Sequence, residues 1–310
     1  MIQTKKVSWI QGTPLGLSIY SANSLSTQLQ EGVLEIIMCI KGSIRFSYAY
    51  EEFTLHQGEF ISVDRDAYYL AEGDGSICVS FYIDLEPFYE KYPATRNSMF
   101  VCEGLKESEQ PYPTKAHLEL QGLLLGILIY LNEENQPGLE VVNRATDKIM
   151  QMMVREFDIL FYLVSREQLS EKYIERYHEI SVFLWKRLHE PVTLQDLAKE
   201  FHLTESYVSE FIRKSGLSFK KMVAYNRANA SEKMLLTTDK SIAQVAEAYG
   251  FSDVKLYYAA FKRWYRCTPK QFRDKYKYGV QDDLEYVEIR DIKDDVMQIS
   301  MQNHRTKLFL

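Results

Sequence analysis

Apolar side chains recur at helical spacing near the C-terminal end of the chain, over residues 241–269. A first helix is predicted to start at Ser241, which has the capping-box spacing to Gln244, and to end at Gly250, where a left-handed residue can close it. A second apolar face follows the glycine. The apolar positions of the two helices are Ile242, Val245, Ala246, Tyr249, Leu256, Tyr257, Phe261 and Trp264. Two short helices joined by a turn predict a helix-turn-helix unit.

The same pattern occurs once earlier, over residues 194–216. When the two stretches are aligned, Leu197-Ala198 matches Val245-Ala246, and Arg213-Lys214 matches Lys262-Arg263. A helix predicted over residues 219–236 joins them, so the sequence indicates a tandem pair of helix-turn-helix units. The positions expected to form its core, away from any ligand, are Leu197, Ala198, Val208, Ile212, Val245, Ala246, Tyr257, Phe261 and Trp264.

The N-terminal part has a different pattern. Residues 7–84 are rich in Val, Ile, Tyr and Phe, and glycine-containing turn signals separate the apolar runs. Many short strands divided by such turns predict a β-sandwich or a small barrel.

Two long helical patterns follow, over residues 118–131 and 141–163. Their apolar faces can cover the barrel or can pack on a second copy of the chain, and the pattern does not decide between the two. Residues 165–177 are charged and lead into the helix-turn-helix region. Residues 281–310 alternate as a strand does, and no domain is assigned to them.

Charge is distributed unevenly along the chain. The formal net charge is −6, yet residues 181–277 contain 18 Lys and Arg against 10 Asp and Glu. The remaining residues contain 19 basic and 33 acidic side chains. An asymmetry of this kind favours two parts with different partners, and a basic balance that coincides with helix-turn-helix units indicates nucleic acid as one of them.

Other classes of protein are disfavoured by composition. The 310 residues suffice for about two domains, and 46% hydrophobic residues suffice for packed cores. The most lipid-like run, residues 123–131, is far shorter than the roughly 20 residues that span a bilayer. The N-terminus lacks the apolar core of a signal peptide, and the four cysteines are scattered without metal-site spacing. We therefore expect a cytoplasmic protein without a membrane span, bound metal or cofactor.

The last third of the chain resembles the AraC/XylS transcription regulators, over about residues 181–276. The positions that carry the resemblance are Leu197-Ala198, Leu203, Tyr207, Gly216, Arg227, Ala230, Leu235-Leu236, Ile242, Ala246, Gly250-Phe251, Phe261-Lys262, Pro269 and Arg273. Two positions differ, because the family usually has Gly at Arg266 and Tyr or Ser at Leu256. The N-terminal part resembles the cupin-like effector domain of the family, through Gly42 and the L-x-x-G-E-F motif of residues 55–60.

The expected fold class is α+β, with four parts. An N-terminal cupin-like β-barrel that binds an effector spans residues 1–112, and a helical dimerisation segment spans 113–177. An all-α tandem helix-turn-helix domain that binds DNA spans 178–277, and a tail of unknown role spans 278–310. The expected partners are double-stranded DNA, a small-molecule effector, RNA polymerase and a second copy of the chain. The homodimer is expected through the helices between residues 118 and 163, because their apolar surface exceeds what a barrel of this size should cover.

In a helix-turn-helix unit, the exposed early positions of the second helix meet base edges in the major groove. The base-contact candidates are Ser206, Ser209, Glu210, Val254, Lys255, Tyr258 and Ala259. Lys can bond guanine, Glu can accept from cytosine, and Val or Ala can touch a thymine methyl group. The phosphate-contact candidates are Thr204, Arg213, Lys214, Lys262 and Arg263.

A small antiparallel barrel can enclose one ligand. The candidate wall residues are Glu35, Arg45, Tyr48, Tyr50, Asp64, Arg65, Tyr68, Tyr69 and Tyr82. Aromatic rings with a few polar groups suit a sugar, whereas the two arginines leave a carboxylate or a phosphate open. A metal-dependent cupin needs several histidines on neighbouring strands, and the barrel region has His56 alone.

Three functions are compared. The favoured one is a transcription regulator that responds to a small metabolite, with a sugar as the first candidate. The alternatives are a DNA-bound scaffold that responds to a protein, and the regulatory part of a carbohydrate-active enzyme. The enzyme is disfavoured because the barrel region lacks paired carboxylates and any nucleophile–base set.

Overall fold

A computed structural model describes most of the chain as two compact units. Unit 1 contains Met1–Tyr92, Phe100–Asp158 and Val280–Leu310, and unit 2 contains Pro93–Met99 and Ile159–Gly279. The described residues are 6–26, 32–48, 51–63, 68–96, 99–102, 112–133, 138–164, 168–278 and 282–303. Unit 2 thus lies within the sequence of unit 1, whose last segment follows it along the chain.

Unit 1 is built on an eight-stranded antiparallel sheet. Its strands are β1 (Ser8–Trp9), β2 (Leu15–Ser26), β3 (Val33–Lys41), β4 (Ser43–Tyr48), β5 (Glu51–His56), β6 (Phe60–Val63), β7 (Tyr69–Asp84) and β8 (Asp283–Tyr286). The order is β1-β2-β7-β3-β6, with β4 between β5 and β7 and with β8 on β2. Pairings along the described strands form an open path from β1 to β6, so a closed barrel stays a prediction.

The central strands β2, β3 and β7 are buried on both faces. Leu34, Ile36 and Met38 on β3 belong to a core that includes the helices of unit 1. The alternate residues Ile37 and Cys39 belong to a second core, formed with Tyr20, Phe46, Tyr69 and others on what we call the inner face. Because side chains alternate along a strand, the nearly continuous apolar run of β3 serves both cores.

Two helices cover the outer face of the sheet, α1 (Lys115–Leu131) and α2 (Glu140–Glu156). The apolar residues of both helices lie in one core with the sheet, so this part of unit 1 covers the apolar faces itself. The second helix was predicted to continue to residue 163, which is wrong. It ends at Phe157, whose carbonyl oxygen accepts from the Val101 amide at 2.8 Å, and Asp158 bridges to Phe100 as a strand residue does. A separate short helix, α3 (Ile159–Leu163), belongs to unit 2.

The segment after the helix-turn-helix region completes unit 1. Strand β8 pairs with β2, and α11 (Lys293–Gln302) packs against α1 and β3. Ile292, Val296 and Ile299 are buried in the core shared with α1 and α2. Asn303 then donates from Nδ2 to the Leu118 carbonyl oxygen at 2.9 Å. This part of the predicted tail is therefore a strand and a helix of unit 1, rather than a strand alone.

Unit 2 is helical in its described residues. Its longer helices are α4 (Glu171–Lys186), α5 (Leu194–Glu200), α6 (Glu205–Arg213), α7 (Phe219–Thr237), α8 (Ile242–Ala248), α9 (Val254–Tyr265) and α10 (Pro269–Tyr278). Helix α4 contributes Tyr173, Tyr177 and Leu184 to one core with α5 and α6. The predicted boundary at residue 178 falls inside α4. Across the described residues, no helix has the length and apolar character needed to cross a membrane.

Candidate nucleic-acid interface

The first helix-turn-helix unit consists of α5 and α6. Thr193 and Asp196 form a capping box at the start of α5, and the hydrogen bonds from Thr193 lower the pKa of the Asp196 carboxyl. The turn passes through His202, which has a φ of 52°, and Leu203 donates to the Ala198 carbonyl oxygen at 2.8 Å. Thr204 then caps α6 by accepting from the Tyr207 amide at 3.2 Å. The local sequence thus fixes the start of the predicted recognition helix.

On α6, the described geometry separates a core face from an exposed face. Val208, Phe211 and Ile212 are buried. The base-contact candidates lie on the opposite side, where Ser206 and Glu210 are exposed and Ser209 is half-buried. Tyr207 is 52% exposed beside them and was not among the candidates, although a large aromatic at the third position of α6 was visible in the sequence.

The second helix-turn-helix unit consists of α8 and α9. Its predicted capping box is present. The backbone amide of Gln244 donates to Ser241 Oγ at 3.2 Å, and Gln244 Oε1 accepts from the backbone amide of Ser241 at 2.8 Å. Gly250 has a φ of +71°, and Phe251 donates to the Ala246 carbonyl oxygen at 3.0 Å. Asp253 caps α9 by accepting from the Lys255 amide at 2.8 Å. The capping box at Ser241 and the break at Gly250-Phe251 therefore both lie where the sequence predicts them.

The exposed face of α9 carries the second set of base-contact candidates. Lys255, Tyr258 and Ala259 are exposed and Val254 is half-buried. Two sequence expectations fail on this helix. Leu256 was placed on the apolar core face, yet it is 55% exposed. It precedes the buried Tyr257 along α9, and consecutive residues of a helix do not lie on the same face. Trp264 was placed in the core but is half-buried, with its ring 4.8 Å from that of Tyr225.

The cationic candidates stand at the C-terminal ends of the two recognition helices. Arg213, Lys214, Lys262 and Arg263 are all exposed. The Arg263 guanidinium lies 5.4 Å from the centre of the Trp264 ring, which restricts its side chain without neutralising it. Each pair is thus available to phosphate groups that flank a base contacted by the same helix.

Helix α7 joins the two helix-turn-helix units of unit 2 and holds them in a fixed relation. Arg227 on α7 donates to the carbonyl oxygens of Leu188 at 3.0 Å, Glu190 at 2.5 Å and Gly250 at 2.6 Å. Leu188 and Glu190 follow α4 along the chain, and Gly250 lies in the turn of the second helix-turn-helix unit. Burial lowers the pKa of Arg227, but a guanidinium stays charged at neutral pH. Nearby, the Tyr257 hydroxyl and Ser231 Oγ are 2.8 Å apart. The spacing of the recognition helices is therefore set by side-chain contacts as well as by the helix.

Comparison with known proteins assigns this region. Residues 197–275 match a family model described as a helix-turn-helix domain. The transcriptional activator FapR of Escherichia coli is 28% identical over 105 residues, which cover 34% of this chain and 39% of FapR. The Msm operon regulatory protein of Streptococcus mutans is 28% identical over 127 residues, which cover 41% of this chain and 44% of that protein.

A third relative is the melibiose operon regulatory protein of Escherichia coli, 26% identical over 155 residues that cover 46% of this chain and 50% of that protein. Residues 197–275 form a helix-turn-helix domain of the AraC/XylS type. The chain spans half or less of the length of these three relatives. The match includes both recognition helices and the helix that joins them.

One departure of the helix-turn-helix region from the AraC/XylS pattern has a visible cost. Arg266, at a position where the family usually has glycine, closes α9 with a φ of 54°. A left-handed conformation costs a residue with a side chain roughly 1–2 kcal/mol relative to a right-handed one. The turn keeps the geometry that a glycine would adopt, so the substitution leaves the second unit intact.

The effector candidates of unit 1 divide by the face of the sheet on which they lie. Glu35, Tyr69 and Tyr82 are buried and share the inner face, Tyr68 is also buried, and Tyr48 is half-buried. Arg45 is the exception, since its side chain is 63% exposed and pairs with Glu72. The candidates Tyr50, Asp64 and Arg65 lie outside the described residues.

Two further polar residues of the inner face were missed by the sequence analysis. The Tyr20 hydroxyl lies 2.9 Å from Ser80 Oγ, and both residues are buried. Burial, reinforced by the Glu35 carboxylate, raises the pKa of Tyr20, Tyr69 and Tyr82 well above the ordinary value. All three phenols are neutral at physiological pH and can donate a hydrogen bond. The inner face thus combines one carboxylate with several hydroxyl groups.

Proposed function

We propose that this protein is a sequence-specific DNA-binding transcription regulator whose unit 1 responds to a small neutral polyhydroxyl metabolite such as a sugar. The observation that carries the proposal is the pair of recognition helices with exposed polar faces and cationic ends, joined by α7 and clamped by Arg227. A basic surface on tandem helix-turn-helix units is the electrostatic footprint of duplex DNA.

The nature of the effector is inferred from the inner face of unit 1. Glu35 can accept hydrogen bonds from sugar hydroxyls, and Tyr20, Tyr69 and Tyr82 supply hydroxyl groups and aromatic surface. A carboxylate or phosphate ligand is less well supported, because Arg45 is directed outward to Glu72 and Glu35 would repel an anion. The similarity to a melibiose operon regulatory protein is consistent with a sugar.

Binding of the effector is tested by thermal shift on the full chain, with a panel of mono- and disaccharides and of organic acids. We expect one sugar to raise the melting temperature of unit 1, since a ligand at about 100 times its Kd stabilises by about 2.7 kcal/mol. Glu35→Gln should abolish that shift. Glu72→Gln, the same change on the outer face, should leave it intact. A panel without a stabilising sugar would contradict the proposed effector.

A second candidate is a DNA-bound scaffold that responds to a protein. It is favoured by the packing of the inner face, where Tyr20, Phe46 and Tyr69 are almost completely buried. The two candidates differ in the thermal-shift experiment, because a scaffold would not respond to small molecules. A sensor requires in addition that its ligand change the affinity for DNA, and a coupling of about 1–3 kcal/mol would change it about 5–150-fold.

Individual DNA contacts are tested with a matched pair of lysines on α9. Lys255→Ala should cost roughly 1–3 kcal/mol on the preferred site and relax the preference at one base pair, since a lysine near the start of the helix can bond guanine. Lys262→Ala should weaken binding to all sequences alike, because it removes a phosphate contact. Binding measured against a set of single-base variants separates the two. Equal loss on every variant for Lys255→Ala would remove it from the base contacts.

A homodimer and contact with RNA polymerase are further parts of the proposal. Two copies would double the length of DNA that is contacted, which raises specificity. The apolar residues of α1 and α2 are buried against the sheet, which leaves less apolar surface for a second copy than the sequence predicts. Footprinting of the bound DNA distinguishes one copy from two, because a second copy should double the number of protected segments.

A further inference from the structure

Exposed large hydrophobic side chains have a notable distribution in unit 2. Among the described residues of this unit they are Tyr207, Leu256 and Tyr258. Tyr207 lies on α6, and the other two lie on α9. All three are thus on recognition helices, whereas the other helices of the unit bury their large apolar groups or leave them half-buried in the part described. An apolar group held in water at a DNA-contacting position needs an explanation that a core position does not.

Leu256 is the strongest of the three. It is 55% exposed, although it stands next to the fully buried Tyr257, and the family usually has a polar or aromatic residue there. On the helix it lies beside Ala259 and Arg263, which are also exposed. A leucine flanked by a cation favours a surface that is apolar at one point and anionic around it. The major groove of DNA offers that combination, since the thymine methyl group is the apolar feature of its base edges and phosphates border it.

We propose that α9 recognises thymine, through contact of Leu256 and Ala259 with 5-methyl groups in the major groove. This inference rests on the proposed DNA-binding function and specifies its target. Arg263 and Lys262 would hold the flanking phosphates, while Lys255 contacts a neighbouring base. Cytosine at the same position presents no methyl group, so apolar contact distinguishes the two pyrimidines. Tyr207 on α6 gives the first unit a smaller apolar surface of the same kind.

The test uses the full chain and a pool of random 40-base-pair duplexes (about four helical turns). Duplexes selected by repeated binding should contain thymines in one of the two DNA segments that the recognition helices contact. The best duplex is then synthesised with deoxyuridine in place of thymidine, one position at a time. Deoxyuridine pairs as thymidine does but lacks the methyl group. We expect an affinity loss of about three- to fivefold at each contacted thymine, as for burial of one methyl-sized group.

Variants assign the effect to the side chain. Leu256→Ala should still bind the duplex but should lose the difference between thymidine and deoxyuridine. Leu256 is 55% exposed, so the variant should stay folded, which circular dichroism checks. Met301→Ala, which removes an exposed apolar side chain of unit 1, should keep the full difference. If deoxyuridine has no effect, or if Leu256→Ala remains as sensitive as the parent chain, the thymine proposal is wrong while DNA binding stands. If no duplex is selected, the proposed function itself is overturned.

Discussion

Removal of the segment after residue 281 will unfold unit 1 under conditions in which the full chain is folded. Ile292, Val296 and Ile299 are buried to within a few per cent in the core with α1 and α2. Burial of an aliphatic side chain contributes about 1.5–3 kcal/mol, so the three together contribute about 4.5–9 kcal/mol. Loss of β8 also removes the pairing of Leu284 with Ala22 on β2. The total approaches the whole stability of an ordinary domain.

Single substitutions make the same point with less damage. Ile292→Ala and Ile299→Ala should each lower the free energy of unfolding of unit 1 by about 2–5 kcal/mol, as measured by urea denaturation of the full chain. Met301→Ala is the matched control on the same helix. Met301 is 73% exposed, so its replacement should change stability by less than about 0.5 kcal/mol. Equal effects of Ile299→Ala and Met301→Ala would contradict the packing of α11.

The second large effect concerns salt. Four exposed cations are assigned to phosphates, Arg213, Lys214, Lys262 and Arg263. Each neutralised phosphate adds about −0.9 to the slope of log Kobs against log salt, which gives a slope of about −3.6. A rise from about 50 to 200 mM salt should therefore weaken binding of the full chain to a duplex about 150-fold. Fluorescence anisotropy across this range measures the slope directly.

Variants show where the slope originates. Lys262→Ala and Arg263→Ala should each reduce its magnitude by about 0.9. Lys91→Ala is a control of the same chemistry in unit 1, where the exposed Lys91 pairs with Asp147 at 3.0 Å. It should leave the slope unchanged. A slope near zero for the parent chain would contradict the assignment of these cations to phosphates.

The helix-turn-helix units were predictable because their signals are local. The capping box of Ser241 and Gln244 and the break at Gly250 are properties of a few neighbouring residues, and the structure has them as expected. Helical period alone failed at Leu256, which lies at the border of the buried face of α9, and at Trp264, which lies on that face near the C-terminal end of the helix. At a border, one position of the turn decides burial, and that depends on which neighbouring helix packs there.

The inner face of unit 1 was predictable only in part. Glu35 and Tyr82 were selected for their type, and both are buried on that face. Arg45 could have been excluded from sequence, because it stands between Ile44 and Phe46, and residues adjacent along a strand point to opposite faces. The role of the last segment could not have been predicted, since its pairing with β2 joins residues far apart in the chain.

Hydroxyl-radical footprinting of the full chain on a duplex selected from a random pool tests the central claim most directly. Two recognition helices clamped on α7 should protect two segments on the same side of the DNA, about one helical turn or ~34 Å apart, for each copy bound. A dimer should double that number. One protected segment per copy, or protection spread evenly along the duplex, would contradict the account of two fixed recognition helices.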